Sequence, residues 1–203
     1  MQYEGNLATL QRRLAETSDL VQRRLAVLDA LAAQPGEAIL EVGCGGGALL
    51  PSLAASVAPS GRVVGIDQSA DQIAAASRLC AGMSGVETAV QDLRQLPYRD
   101  AGFDAVVAVQ VIEYLDQPAA ALSELRRVTS IHGRLVVLAT NWDFWNCGRP
   151  ELTRRVQAAW RGHENVHAPA DRGYLGVLTH AAEDDRVGDL EALAVLAEAL
   201  GDL

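Results

Sequence analysis

The residues with most chemical potential stand together early in the chain, where Glu41-Val42-Gly43-Cys44-Gly45-Gly46-Gly47 sets four glycines beside one carboxylate. Glycines directly after an apolar run let a ligand approach the backbone where a Cβ would clash. The first N–H groups of a following helix point at whatever binds there. Taken alone the glycines do not choose a ligand, since Gly43, Gly45 and Ala48 also satisfy the formal dinucleotide pattern G-x-G-x-x-A. The acids around them are more selective. Asp67 closes the run Arg62-Val63-Val64-Gly65-Ile66-Asp67, placed to accept from both hydroxyls of a ribose; NAD-binding sites use an acid there as well. Asp92-Leu93, just past a third apolar run, offers a carboxylate to the N6 amino group of an adenine and an apolar neighbour to its ring. Glu41 would repel a pyrophosphate, because like charges repel, and would suit the amino group of an amino acid. The acids therefore favour a cationic nucleoside ligand over an anionic dinucleotide.

Bringing these positions together requires strand ends that converge. Short apolar runs at Ala38–Val42, Arg62–Asp67, Val86–Gln91, Phe103–Val109 and Arg134–Ala139 read as strands. Their richness in Val, Ile and Leu without polar alternation fits strands buried on both faces. Between them, Gly47–Val57, Ser69–Cys80 and Pro118–Thr129 read as helices, with Ser69 as a cap and Pro51 tolerated in a first turn that has spare N–H groups. Alternation of this kind predicts βαβ units and a Rossmann-like, three-layer αβα sandwich built on a mainly parallel sheet. In such sheets ligands bind at the carboxyl ends of the strands. Upstream, Leu7–Leu14 has helical spacing. A second helix is expected from the Ser18-Asp19 cap to about Ala33, with Val21, Leu25, Leu28 and Leu31 on its apolar stripe.

The pattern breaks after about Asn141. Residues 1–140 are expected to hold the lid helices and the nucleoside-binding core; residues 141–203 read as a substrate lid and an acidic C-terminal helix of the same domain. Trp142, Trp145 and Trp160 are candidates for an apolar pocket, though core tryptophans are the commoner case. His163 and His167 are four apart, but Pro169 biases Ala168 away from helix and no third ligand follows, so no metal site is expected. Tyr114 and Glu113 follow the fourth strand and face a substrate in one reading; as a packed aromatic, Tyr114 is as well explained. His132 precedes the fifth strand, at the sheet edge opposite the ligand, which makes it a weak catalytic candidate.

Composition bounds the rest. The chain has 203 residues, 49% hydrophobic and 21% charged, with a formal net charge of −9. All 17 basic residues are arginine. With a pI near 4.9, a general nucleic-acid binder is not expected, because phosphate neutralisation needs a basic patch. No segment approaches the roughly 18–20 uninterrupted apolar residues that span a bilayer. The start lacks the apolar core of a secretory signal. Cys44, Cys80 and Cys147 are odd in number and form no CxxC pair, which argues against a disulfide framework or zinc site. A cytoplasmic protein with no membrane partner is the expectation.

At these residues the chain resembles the class I S-adenosylmethionine-dependent methyltransferases. ILEVGCGGG is similar to that family's first motif and VVGIDQS to its second. AVQDLRQLPYRDAGFDAVVAVQVIEYLDQPAAALSELRRVTSIHGRLVVL is similar to its later core, and the likeness runs over about residues 20–140 in order. It looks closest to the small-molecule branch that includes quinone C-methylases. The resemblance implies methyl transfer from S-adenosylmethionine to a small organic acceptor, leaving S-adenosylhomocysteine. It implies that Gly43, Cys44 and Gly45 hold the methionine part and that Glu41 supports its ammonium. It further implies that Asp67 binds the ribose, that Gln68 and Ser69 border the nucleoside, and that Asp92 and the Leu93 N–H meet the adenine. The backbone carbonyl of Gln110 would serve the amino group. Two departures stand out. Ser130-Ile131-His132-Gly133 replaces the family's Lys-Pro-Gly-Gly, and no hairpin for its usual sixth and seventh strands is legible before Leu203. A methyltransferase-like non-catalytic subunit, a non-methylating enzyme using the same cofactor, and an NAD enzyme remain open on the residues alone, as does a homodimer.

Overall fold

The structure, a computed structural model, describes residues 5–115, 117–139 and 154. The tryptophans, His163, His167 and the acidic helix expected beyond Asn141 lie outside the described residues. Five strands form one all-parallel sheet in the order β3-β2-β1-β4-β5. They are β1 (Ala38–Val42), β2 (Arg62–Asp67), β3 (Val86–Val90), β4 (Phe103–Val109) and β5 (Thr129–Leu138). The helices are α1 (Gly5–Leu14), α2 (Ser18–Leu31), α3 (Leu50–Val57), α4 (Ala70–Leu79) and α5 (Pro118–Val128). This is the αβα arrangement that the alternating pattern predicts.

Because side chains of a strand alternate between faces, the sheet splits its apolar residues between two clusters. Ile39, Val63, Ala105, Val107 and Val136 face α2, α3 and α4, where Val27, Leu31, Leu50, Leu53 and Ala76 meet them. Leu40, Val64, Val106, Leu135 and Val137 face α5, packing on Ala121, Leu122, Leu125 and Val128. No helix joins β3 to β4. Residues 91–102 cross that face as an irregular segment whose Leu93 and Leu96 enter the α5-side cluster. Arg127 of α5 fastens it, donating to the carbonyls of Leu96 (3.1 Å) and Tyr98 (2.8 Å) and pairing with Asp100 and Glu124.

Local signals set the element ends. Ser69 caps α4 by accepting from the Gln72 N–H at 3.3 Å, satisfying one of the orphan donors of a first turn. One helix phase and two element starts differ most from the sequence reading. The inward stripe of α2 is Val27, Leu28 and Leu31, while Val21 and Leu25 are exposed. The inward position one turn before Leu28 is held by Arg24, half-buried, whose guanidinium donates to the Ala15 carbonyl at 2.7 Å. Helix α3 starts at Leu50 rather than Gly47, because Gly47 to Leu49 are used in a turn closed by Leu50 N–H to the Gly47 carbonyl at 3.1 Å. Strand β5 begins at Thr129, directly after α5, and a register shift between Phe103 and Ala105 absorbs Ser130 to Gly133.

Candidate functional site

The loop after β1 owes its path to glycine. Gly43, Gly45 and Gly47 have φ of +67°, +52° and +84°, the left-handed region that L side chains avoid. At Gly43 there is also no space, since a Cβ would lie 2.2 Å from Val111 Cγ2. The loop is tied to β2 rather than to its own strand. Cys44 N–H donates to the Ile66 carbonyl at 2.9 Å, and Gly45 N–H donates to Asp67 Oδ2 at 3.0 Å. The other carboxylate oxygen of Asp67 accepts from Ser69 N–H at 2.8 Å. Burial raises the Asp67 pKa and these backbone donors pull it back, so the carboxylate acts as a brace between the glycine loop and the start of α4.

Two cavities open at the carboxyl edge of the sheet. The first, about 300 Å³, lies in front of β1, β2 and β4 and is lined by Asp67, Gln68, Asp92, Leu93, Val111 and Tyr114 among others. The second, about 640 Å³, runs behind the glycine loop under α1 and α2, with Glu41, Cys44, Gly45, Arg24 and Arg78 in its wall. Both are lined by Gln11, Gly43 and Gln110. Gln110 is itself strained: φ is +54°, and its N–H donates to the Leu138 carbonyl at 2.6 Å. A non-glycine residue in that region costs about 1–3 kcal/mol and such residues cluster at ligand sites. The bend turns the end of β4 across the mouth shared by the two cavities.

Glu41 is the electrostatic centre. It is 5% exposed, and its Oε2 finds no hydrogen-bond partner among the described residues. Burial first, then the charge of Asp67, pushes its pKa up to about 8 against a partial offset from Arg24. A buried carboxyl with a spare oxygen is costly unless something pairs with it, and a cationic group entering the second cavity would do so. Asp92 is the opposite case. It is exposed, and Arg94 holds it below the usual carboxylate range through its Nε, Nη2 and backbone N–H. Burial and the acids Glu41 and Asp67 push the Cys44 thiol upward, so it stays protonated and packs as a small apolar group. Among the described residues no cluster of His, Cys, Asp and Glu is arranged to hold a metal.

The structure thus gathers Glu41, Gly43, Cys44, Gly45, Asp67, Gln68, Asp92, Leu93, Gln110 and Tyr114 around the two cavities. His132 stands exposed near the start of β5, at the other edge of the sheet, and lines neither cavity. Gln11 lines both and had no sequence signal, because a polar residue on a short helix reads as surface until the helix is seen to dock. The arrangement fits a nucleoside carrying a cationic amino-acid end. Asp67 and Asp92 line the first cavity, a glycine cradle leaves no room for a Cβ at Gly43, and the orphaned carboxyl of Glu41 stands beside it.

Comparison with known proteins agrees. A family model described as a methyltransferase domain matches residues 40–137, a span that includes the glycine loop, Asp67, Asp92 and Gln110. Over these residues the chain is similar to the methyltransferase domain family. The chain is 36% identical over 148 residues to a demethylmenaquinone methyltransferase of Beutenbergia cavernae, covering 70% of this chain and 59% of that one. It is 38% identical over 151 residues to an uncharacterised 37.1 kDa protein of a Streptomyces fradiae transposon, covering 74% of this chain and 43% of that one. Among solved structures, an S-adenosylmethionine-dependent methyltransferase from Aquifex aeolicus shares the fold with a TM-score of 0.62 at 24% identity, over 72% of this chain and 79% of that one. The chain spans about half the length of the curated relatives it matches. Within the matched span, the helix-free crossing between β3 and β4 brings Asp92 and Leu93 to the first cavity.

Proposed function

We propose that the chain transfers a methyl group from S-adenosylmethionine to a small organic acceptor. The observation that carries this reading is the orphaned carboxyl of Glu41 beside a glycine loop braced by Asp67. When bound, S-adenosylmethionine supplies a methyl on a cationic sulfur whose departure leaves a neutral thioether. The protein's part is therefore to bind, orient and keep water out, and oriented binding alone contributes about 7–11 kcal/mol to such displacements. Glu41 holds the ammonium group, Asp67 the ribose hydroxyls and Asp92 with Leu93 the adenine. The Gln110 carbonyl and the Gly43–Gly45 backbone hold the amino-acid end. No side-chain base is assigned: Tyr114 lines the first cavity, and His132 is too far round the sheet to serve.

The name of the menaquinone relative and the acidic pI support a small-molecule acceptor over nucleic acid. No helix of the described residues is long and apolar enough to cross a membrane, and the proposed setting is the cytoplasm. In this reading α1 and α2 bind the acceptor over the carboxyl edge, in a monomer or a homodimer; the lid role expected of residues 141–203 falls largely outside the described residues. Calorimetric titration with S-adenosylhomocysteine, and with NAD as control, tests the cofactor. One-to-one binding of the first and none of the second is expected, and Asp67→Ala should abolish it. Micromolar binding retained by Asp67→Ala would refute the placement of the ribose.

A further inference from the structure

Helix α1 docks on the glycine loop and α4 through a polar strap. Gln72 of α4, almost wholly buried, donates its amide N–H to Gln11 Oε1, and its own Oε1 accepts from Arg12 Nη1 at 3.0 Å. Gly5 N–H donates to Asp71 Oδ2 at 2.8 Å, one residue along α4. The fit to the loop is close, since a Cβ on Gly46 would lie 2.8 Å from both Arg12 Cγ and Cδ. The Gln11 amide hangs just above Gly45, its two polar atoms 3.6 and 3.9 Å from where a Cβ would stand. Ala8 is buried, but Leu10 and Leu14 of α1 are exposed. A buried glutamine that spends both ends of its amide on two residues of one helix turn fixes that turn in place.

We infer that Gln11 is a cofactor-binding residue and that Gln72 is its positioning residue. With its Oε1 engaged by Gln72, Gln11 has its NH2 group left to donate at the junction of the two cavities. The proposed cofactor has one anionic group, the carboxylate of its amino-acid end, and that end is the one Glu41 attracts. Ammonium and carboxylate are then held from two walls of the second cavity, whose lining Glu41 and Gln11 share. This inference rests on the cofactor reading given above.

Calorimetric titration of the full chain separates the two. Wild type, Gln11→Ala, Gln72→Met and the double variant are each titrated with S-adenosylhomocysteine and with adenosine, which lacks the carboxylate. A hydrogen bond to a charged group predicts a loss of about 10- to 100-fold in S-adenosylhomocysteine affinity for Gln11→Ala. Gln72→Met should lose less, and the double variant should match Gln11→Ala to within about twofold, since Gln72 acts only through Gln11. Adenosine affinity should not change in any of them. Gln11→Glu keeps the helix and the side-chain length, and should bind S-adenosylhomocysteine more weakly than Gln11→Ala. Unchanged affinity in Gln11→Ala, multiplied losses in the double variant, or an equal loss for adenosine would each overturn the assignment. A wild-type chain that binds no S-adenosylhomocysteine would instead overturn the cofactor reading, and this inference with it.

Discussion

Gly43→Ala puts two physical effects on one atom, and the structure allows them to be separated. The first is backbone strain at φ +67°, worth about 1–2 kcal/mol for an L residue. The second is steric: the new Cβ would sit 2.2 Å from Val111 Cγ2, about 1.2 Å inside the 3.4 Å at which ordinary contact begins. Forcing a methyl into such a site costs about 1–3 kcal/mol more. Gly82 supplies the control, with φ +81° and nothing within 4 Å of its would-be Cβ, so Gly82→Ala carries the strain alone. At roughly 2–4 °C per kcal/mol for a chain of this size, Gly82→Ala should lower Tm by about 2–8 °C. Gly43→Ala should lower it by about 4–20 °C. Thermal unfolding without ligand reads both, and Val111→Ala in the Gly43→Ala background should recover much of the excess as a favourable coupling. Since Val111 lines the first cavity, S-adenosylhomocysteine affinity should fall in Gly43→Ala and not in Gly82→Ala. If Gly43→Ala costs no more than Gly82→Ala, or Val111→Ala recovers nothing, the close approach of loop and β4 is not what excludes a side chain.

Two further substitutions follow from the charges. Glu41 has its pKa raised from 4.5 to about 8 in the folded chain, so the folded state holds its proton more tightly than the unfolded one. The stability this contributes is fully present below about 4.5 and is lost as pH rises through about 8. Glu41→Gln should flatten that part of the stability-against-pH curve measured by urea unfolding. It should also abolish the proton released on S-adenosylhomocysteine binding at pH 7, read as a difference in binding heat between two buffers. Arg127→Met removes donors from the Leu96 and Tyr98 carbonyls and partners from Asp100 and Glu124. It should cost about 1–3 kcal/mol, with faster amide hydrogen exchange concentrated in residues 96–101; unchanged exchange there would mean that the crossing segment is held by Leu93 and Leu96 alone.

Strands β1, β2 and β4 were legible because each is a short apolar run, and burial on both faces leaves that composition little freedom; β3, at the sheet edge with no residue fully buried, was legible only as the run before Asp92. The acids at strand ends were legible for the same reason, since Asp67 and Asp92 are where the runs stop. The phase of α2 was not. Its sequence supports an apolar stripe through Val21 and Leu25, but Arg24 takes the inward position, where it donates to the Ala15 carbonyl and its charge reaches Glu41. The late start of α3 reflects three turn residues that helical periodicity cannot distinguish from a first helical turn. Gln11 and Gln72 were invisible because their partnership spans 61 positions and depends on how α1 lies across α4.

The glycine loop leaves β1 but is pinned to the end of β2, through Cys44 to Ile66 and Gly45 to Asp67. Those bonds exist only when Val42 stands opposite Ile66. A slip of one residue between these parallel strands would move Asp67 by about 3.3 Å and turn it to the other face of the sheet. The ligand site is thus a gauge of sheet register: misaligned chains can collapse and bury much the same apolar residues, but they cannot form it. A ligand that fits the cavities would select the correctly registered chains by mass action, so refolding in its presence should raise the yield of native protein without adding any contact that the sheet itself makes.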